Sequence, residues 1–128
     1  MAIKHYQPSR PTWRAKFRTA FRGIWLGTRG QNSFFVHLPF GLAVEALAIG
    51  SGCSPIEHCI LLLCIGVVLV AELANSAIER LARGLCDHYN PNVGEALDIA
   101  SGAVLVASFF AAAIGTIVFL TRWGILQF

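Results

Sequence analysis

Long apolar stretches separated by short polar ones fill the chain from residue 34 onward. Three of them are candidate membrane spans, and we place them at residues 34–50, 56–78 and 99–120. The second and third reach the length of about 17–25 residues that a transmembrane helix needs. The first span is marginal, because it is short and carries His37, Pro39 and Glu45. The pattern predicts an all-α integral membrane protein with three transmembrane helices.

The residues before the first span follow an amphipathic helical pattern. Apolar residues recur at helical spacing from Trp13 to Ile24, and arginines gather on another side. Thr12 is a suitable N-cap. We therefore predict a surface helix over residues 12–31, preceded by a flexible tail at residues 1–11, with its apolar face among lipid headgroups. This helix is either a basic anchor that sets topology or one wall of a site for a phosphorylated ligand.

The composition is that of a membrane protein. Hydrophobic residues make up 55% of the 128 residues and charged residues only 13%, whereas soluble domains carry about 25% charged residues. We therefore predict a single membrane domain over residues 1–128 and no nucleic-acid partner. The four cysteines lack the close pairing of a zinc site, and two lie inside an apolar run, where thiols behave as small hydrophobic groups. A long basic segment precedes the first apolar run, which argues against a cleaved signal peptide.

The basic residues orient the three spans. Of the ten lysines and arginines, seven precede the first span and two, Arg80 and Arg83, follow the second. The loop between the first two spans has none, and the C-terminal tail has only Arg122. By the positive-inside rule, the N-terminus and the second loop lie in the cytoplasm, and the first loop and the C-terminus lie outside. The pattern predicts a multi-pass membrane protein with a cytoplasmic N-terminus.

Polar residues interrupt the cytoplasmic end of the second span. Four of them lie at positions i, i+3, i+4 and i+7 and share one face of a helix: Glu72, Asn75, Ser76 and Glu79. Glu72 lies about 10 Å deeper in the membrane than Glu79. On the third span, Asp98 is expected at a depth similar to that of Glu79, with Ser101 one turn further in. Ionisable groups at membrane depth cost about 2.5–3.5 kcal/mol each and usually face a protein interior or a watery site.

These residue types suit phosphoryl transfer to a lipid alcohol. Mg²⁺ takes oxygen ligands and is usually shared with substrate phosphates, so carboxylates at the cytoplasmic surface suit it. A deeper carboxylate flanked by an amide suits a general base for a hydroxyl held at the lipid interface. Transfer of phosphate from ATP to such a hydroxyl needs both features. The spacing alone leaves a second interpretation equally open, in which the face is polar contact between helices.

The motifs resemble those of a known family. ELANSAIERLA and ALDIASGAVLVA, joined by a polar loop and preceded by FRGIWLGTRGQNSFFVH, resemble the bacterial diacylglycerol kinase family of small membrane lipid kinases, which also contains undecaprenol kinases. The resemblance runs from about Phe17 to about Leu120. It implies a homotrimer in the bacterial inner membrane, with a surface helix and three transmembrane helices in each subunit and with active sites shared between subunits. It also implies ATP as co-substrate and Mg²⁺ as cofactor.

The resemblance further implies roles for particular residues. Glu72 matches the family's catalytic base, with Asn75 beside it, and Glu79 matches a metal-binding carboxylate. Asp98 matches an aspartate that contacts the nucleotide, and Ser101 falls near the lipid substrate, as does Glu72. The loop residues that align with a segment contacting ATP are His88, Tyr89 and Asn90.

Three positions depart from the family's usual pattern. Gln31 stands where a second metal-binding glutamate is usual, Leu97 where a lysine precedes the aspartate, and Arg83 where an aspartate follows Glu79 by one turn. Gln31 offers a carbonyl oxygen without charge, so it should weaken Mg²⁺ binding, and Leu97 removes a phosphate partner. Arg83 can face the same phosphates, and we count it among the nucleotide-binding residues.

The sequence therefore predicts a lipid kinase. We expect transfer of the ATP γ-phosphate to a lipid alcohol, with diacylglycerol as substrate and phosphatidic acid as product. Undecaprenol is the alternative acceptor, because both lipids present a hydroxyl at the interface. The alternative from another class is a catalytically silent family member that binds lipid or a partner. For Glu45 the sequence leaves two interpretations equally open, a contact between helices and a functional role.

Overall fold

Four helices make up the described part of the chain. The computed structural model describes residues 12–29 and 32–127. The helices are α1 (Trp13–Thr28), α2 (Asn32–Gly50), α3 (Pro55–Leu85) and α4 (Pro91–Arg122). The predicted all-α class is confirmed. The predicted tail at residues 1–11 and the predicted metal-site residue Gln31 lie outside the described residues.

Local sequence signals determine where the helices begin. The side chain of Thr12 accepts a backbone N–H at the start of α1, and the side chain of Asn90 does the same at the start of α4, with Pro91 as the first helical residue. Ser54 and Glu57 form a reciprocal capping box at the start of α3. The predicted N-cap at Thr12 is therefore confirmed.

The two longest helices carry most of the membrane-spanning length. Within the described residues, α3 and α4 have 31 and 32 residues, and both are long and apolar enough to cross a bilayer. The apolar part of α2 is shorter, at Phe34–Gly50. Both long helices extend beyond the spans drawn at residues 56–78 and 99–120, because a helix continues past the edge of the apolar stretch. Many of their apolar side chains are exposed, as expected where lipid covers them.

α3 is the central helix of the bundle. It packs along α4 and against parts of α2 and α1. At one end of the bundle, a small core is formed by Ala48, Leu61, Val118 and Phe119. There, Arg122 Nε donates to the Ser51 carbonyl at 3.0 Å and ties the end of α4 to the connection between α2 and α3. We call this the loop end of the bundle.

The opposite end of α3 receives the last turn of α1, and we call it the α1 end. Gly27 is buried there, and a Cβ at this position would lie 2.6 Å from Leu73 Cδ2, so a larger residue would force Leu73 to shift. The guanidinium of Arg80 donates to the carbonyls of Leu26 and Arg29. Carbonyls at the end of a helix lack partners within the helix, and Arg80 supplies one. These contacts fix the surface helix against α3.

Candidate active site at the α1 end

The polar face of α3, formed by Glu72, Asn75, Ser76 and Glu79, turns into the protein. Glu72 and Ser76 are 2% exposed and Asn75 is 8% exposed, while Glu79 is partly buried. The four side chains therefore share one face of α3, as their spacing predicts. Buried polar groups need partners, so the contacts of these residues decide what the face can do.

Glu72 is paired with a histidine from α2. His37 Nε2 lies 3.0 Å from Glu72 Oε1, and the His37 side chain is 28% exposed. An ionised carboxylate is only an acceptor, so Nε2 carries the proton in this contact. In the sequence, His37 is only a polar interruption of the first span. The signal that marks it is an ionisable side chain at membrane depth, which has no partner on its own helix.

Asn75 and Glu79 are hydrogen-bonded to each other on the polar face of α3. Asn75 Nδ2 donates to Glu79 Oε1 at 2.9 Å. Asn75 Oδ1 is buried and has no hydrogen-bond partner among the described residues. An amide oxygen beside a carboxylate suits Mg²⁺ when substrate phosphates complete its coordination. Within residues 12–29 and 32–127, no group of three or more His, Cys, Asp or Glu residues could hold a metal ion. The amide and carboxylate oxygens of Asn75 and Glu79 would fit a metal ion whose coordination is completed by substrate phosphates.

Arg83 follows Glu79 by one turn and lies at the rim of the site. Arg83 Nη1 is 3.5 Å from Glu79 Oε2, and the Arg83 side chain is 65% exposed. An exposed ion pair of this kind contributes little to stability, so it leaves the guanidinium able to bind phosphate. Leu97 is partly buried on α4, and its carbonyl accepts the Ser101 hydroxyl at 3.0 Å. Ser101 therefore bonds to its own helix rather than to the polar face of α3.

The other predicted nucleotide-binding residues lie on the surface. His88 and Tyr89 are exposed in the connection before α4, Asn90 caps α4, and Asp98 is exposed on α4. Glu72, the predicted base, and Glu79, the predicted metal-binding carboxylate, share the polar face of α3 with Asn75. The nucleotide-binding roles of the residues in α4 and its preceding connection stay predictions.

An apolar cavity of about 640 Å³ lies between α2, α3 and α4. His37 lines it, as do Phe40, Val68 and Phe119. Ser108 also lines it, and the Ser108 hydroxyl is buried without a hydrogen-bond partner among the described residues. Because Phe119 belongs to the core at the loop end, the cavity extends from the His37–Glu72 contact toward that end.

A second histidine–glutamate pair joins α2 and α3. His58 Nδ1 lies 2.8 Å from Glu45 Oε2. The sequence leaves two roles open for Glu45, and the structure shows the helix contact. Glu45 Oε1 is buried and has no hydrogen-bond partner in the described part of the chain.

Comparisons with known proteins agree with this architecture. Residues 18–119 match the family described as prokaryotic diacylglycerol kinase. The chain is 35% identical to the undecaprenol kinase of Bacillus subtilis (strain 168) over 106 residues, which cover 83% of this chain and 86% of that protein. No solved structure matches the chain. The chain belongs to the prokaryotic diacylglycerol kinase family, whose members are integral membrane, ATP-dependent lipid kinases.

Proposed function

We propose that this protein transfers the γ-phosphoryl group of ATP to the hydroxyl of a membrane lipid alcohol, and that undecaprenol is the acceptor. The observation that carries the proposal is the His37–Glu72 pair, a buried carboxylate in contact with a histidine that lines an apolar cavity. A polar pair beside an apolar cavity suits a molecule with one hydroxyl and a long hydrocarbon chain. Membership in a family of lipid kinases supplies the reaction class.

The reaction requires a base for the hydroxyl proton. The lipid oxygen attacks the γ-phosphorus and forms a new P–O bond, while the bond between that phosphorus and the β–γ bridging oxygen breaks and ADP leaves. In this proposal the hydroxyl proton passes to Glu72, which acts as the general base. The proton then leaves to water, and the carboxylate is restored for the next turnover.

The remaining polar residues bind the phosphates and the cation in this proposal. Asn75 and Glu79 would hold Mg²⁺ together with the ATP phosphates, and Gln31 would supply a further oxygen. Mg²⁺ held there would supply positive charge that offsets the negative charge of the phosphates. The support is twofold: Asn75 Oδ1 is buried without a hydrogen-bond partner among the described residues, and Asn75 Nδ2 donates to the Glu79 carboxylate. Arg83 binds phosphate from the rim.

We assign the nucleotide to the exposed rim of the α1 end. The residues proposed to contact ATP besides Arg83 are His88, Tyr89, Asn90 and Asp98. Their exposure leaves them accessible to a soluble nucleotide. Ser101 is proposed to lie near the lipid substrate, together with Glu72.

Two observations favour different acceptors. The relative named undecaprenol kinase matches most of both chains, which favours undecaprenol. The family description names diacylglycerol, so diacylglycerol, with phosphatidic acid as product, is the second candidate. There is also a candidate function without catalysis, a catalytically silent family member that binds lipid or a partner. The departures at Gln31, Leu97 and Arg83 favour it.

The proposed location is the bacterial cytoplasmic membrane, with the N-terminus and the α1 end on the cytoplasmic side, where ATP is available. The support is the concentration of lysine and arginine before the first span and after the second. We also propose a homotrimer with active sites shared between subunits, on the basis of the family resemblance.

The test supplies purified protein in mixed micelles with radiolabelled ATP, Mg²⁺ and either undecaprenol or diacylglycerol. We expect label in the undecaprenol fraction with the wild type and almost none with Glu72→Gln. Label in diacylglycerol alone would assign the second acceptor. If neither lipid is labelled by protein that is folded, the kinase proposal fails and the silent member is favoured.

A further inference from the structure

Glu72 must be ionised to act as a catalytic base, yet its side chain is buried. Its side chain is 2% exposed and lies on a membrane-spanning helix. An isolated carboxylate in such surroundings loses its hydration and takes up a proton unless another group compensates its charge. A carboxyl that already holds a proton cannot accept one from a lipid hydroxyl. Glu72 therefore needs a partner in order to work as a base.

The packing of α2 on α3 supplies that partner. His37 Nε2 lies 3.0 Å from Glu72 Oε1. One turn along α2, a Cβ at Gly41 would lie 2.9 Å from Ile65 Cγ2, so the absence of a side chain lets the two helices approach closely. This close approach brings the short imidazole within hydrogen-bond reach of Glu72. The donor is thus held by the backbone packing of two helices and not by a mobile loop.

We propose that His37 is a positioning residue of the lipid kinase reaction: its Nε2–H keeps Glu72 ionised and directs Glu72 Oε2 toward the lipid hydroxyl. The inference rests on the proposed function. In the reaction, the hydroxyl proton is transferred to Glu72 Oε2, and the imidazole keeps its own proton on Nε2 throughout. After the phosphorylated lipid leaves, Glu72 releases its proton to water.

The exposure of His37 adds to this role. The ring is 28% exposed and lines the apolar cavity between α2, α3 and α4, whereas Glu72 is almost fully buried. A lipid chain in this cavity approaches the carboxylate past the imidazole. The ring therefore restricts where the hydroxyl can lie, in addition to holding the carboxylate.

Two substitutions of His37 distinguish a hydrogen-bond donor from a side chain that only fills space. His37→Leu removes the donor, and His37→Gln keeps an N–H group that can reach Glu72. A hydrogen bond to a charged group is worth a factor of about 10–100. We expect kcat of His37→Leu to fall by about that factor while KM for ATP stays unchanged, and we expect His37→Gln to recover most of the lost rate.

The second histidine–glutamate pair provides the matched control. His58→Leu removes a contact of the same type between the same two helices. If His37 acts on Glu72 and does not simply join helices, His58→Leu should lower thermal stability in detergent yet leave kcat per folded protein unchanged. Equal losses of kcat in His37→Leu and His58→Leu would overturn the proposal.

Infrared difference spectroscopy tests the same contact without turnover. Comparison of wild type with Glu72→Gln identifies the bands of Glu72. We expect ionised carboxylate bands in the wild type and a protonated carboxyl band in His37→Leu, which disappears when Glu72→Gln is added. If the wild type phosphorylates neither lipid, the proposed function fails and the catalytic role of His37 fails with it, while the spectra still show whether His37 keeps Glu72 ionised.

Two further results would overturn the role of His37. One is an ionised Glu72 together with wild-type kcat in His37→Leu. The other is a His37→Gln variant that is folded yet as slow as His37→Leu, because the ring itself would then transfer the proton. If His37→Leu does not fold, the rate and spectrum of His37→Gln decide between these outcomes.

Discussion

Two histidine–glutamate pairs connect α2 and α3, and they are nearly alike in contact distance and in the exposure of the histidine. The His37–Glu72 contact is 3.0 Å and the His58–Glu45 contact is 2.8 Å, with the histidine side chains 28% and 26% exposed. The glutamates differ, since Glu72 is 2% exposed and Glu45 is 18% exposed. The direction also reverses, because the histidine lies on α2 in the first pair and on α3 in the second.

The surroundings of the two pairs differ more than the pairs do. Along α3, Glu72 is followed on the same face by Asn75, Ser76 and Glu79. One turn to either side of Glu45, α2 carries no polar side chain: the residues are Gly41, Leu42, Ala48 and Ile49. A buried ionisable pair is therefore not by itself a sign of catalysis. We assign chemistry to the pair whose polar face continues to the end of the helix, where phosphates can reach it.

The largest expected effect comes from Glu72→Gln. Glutamine keeps the size of the side chain and an oxygen that can accept from His37, but it cannot take up the hydroxyl proton. We expect folding and oligomeric state to be preserved and kcat to fall by about 10²-fold or more. The measurement is the initial rate of lipid phosphorylation in mixed micelles, with size-exclusion chromatography to check assembly.

Glu45→Gln is the matched control for that change. It alters the same residue type in the second pair, so we expect lower thermal stability and an unchanged kcat per folded protein. A wild-type rate in Glu72→Gln, or an equal loss of kcat in both variants, would remove the distinction between the two pairs.

The next largest effect is expected for Arg83→Ala. If Arg83 binds phosphate at the rim of the polar face, its loss should raise KM for ATP by about tenfold. Combining Arg83→Asp with Leu97→Lys restores the charges of the usual family pattern and should bring KM back toward the wild-type value. Arg14→Ala, at the far end of α1, is the control. An unchanged KM in Arg83→Ala would leave Arg83 only a role in membrane topology.

A smaller effect is expected for Gln31→Glu. If position 31 contributes to the proposed metal site, a carboxylate there should lower the Mg²⁺ concentration for half-maximal rate by about two- to fivefold, because the charge favours a divalent cation. Glu79→Gln should raise that concentration instead. Gln127→Glu adds the same charge at the loop end and should leave the Mg²⁺ requirement unchanged. A response of Gln127→Glu equal to that of Gln31→Glu would point to overall charge and away from a local metal site.

The smallest expected effect is a difference in thiol labelling. It tests whether the two ends of the bundle lie on opposite sides of the membrane. In intact cells, an impermeant maleimide should label a variant that retains only Cys53 and not one that retains only Cys86. Burial and the nearby charge of Glu57 raise the pKa of the Cys53 thiol. The reactive thiolate is therefore scarcer at neutral pH, so labelling should be slow there and should accelerate as the pH rises. Labelling of Cys86 alone would reverse the orientation.

Much of this site can be predicted from the sequence because it lies on a single helix. Glu72, Asn75 and Glu79 share a face by virtue of helical spacing alone, and local signals at Thr12 and Asn90 define where two helices begin. These features depend on residues a few positions apart, whose relative placement the helix itself dictates.

Contacts between helices could not be predicted in this way. No periodicity connects His37 with Glu72, or Arg80 with the carbonyls at the end of α1. The similar depth expected for Asp98 and Glu79 does not specify which way Asp98 faces on α4, and the structure shows the Asp98 side chain exposed.

The sequence by itself determined the all-α membrane class, the amphipathic pattern before the first span and the polar face of α3, because hydropathy and helical spacing act locally along the chain. The tertiary structure alone decided which charged groups meet. It paired Glu72 with His37 and Glu45 with His58, because those contacts depend on how closely and at what rotation the helices pack. The close approach of α2 to α3 at Gly41 is part of that packing, and no pattern within one helix encodes it.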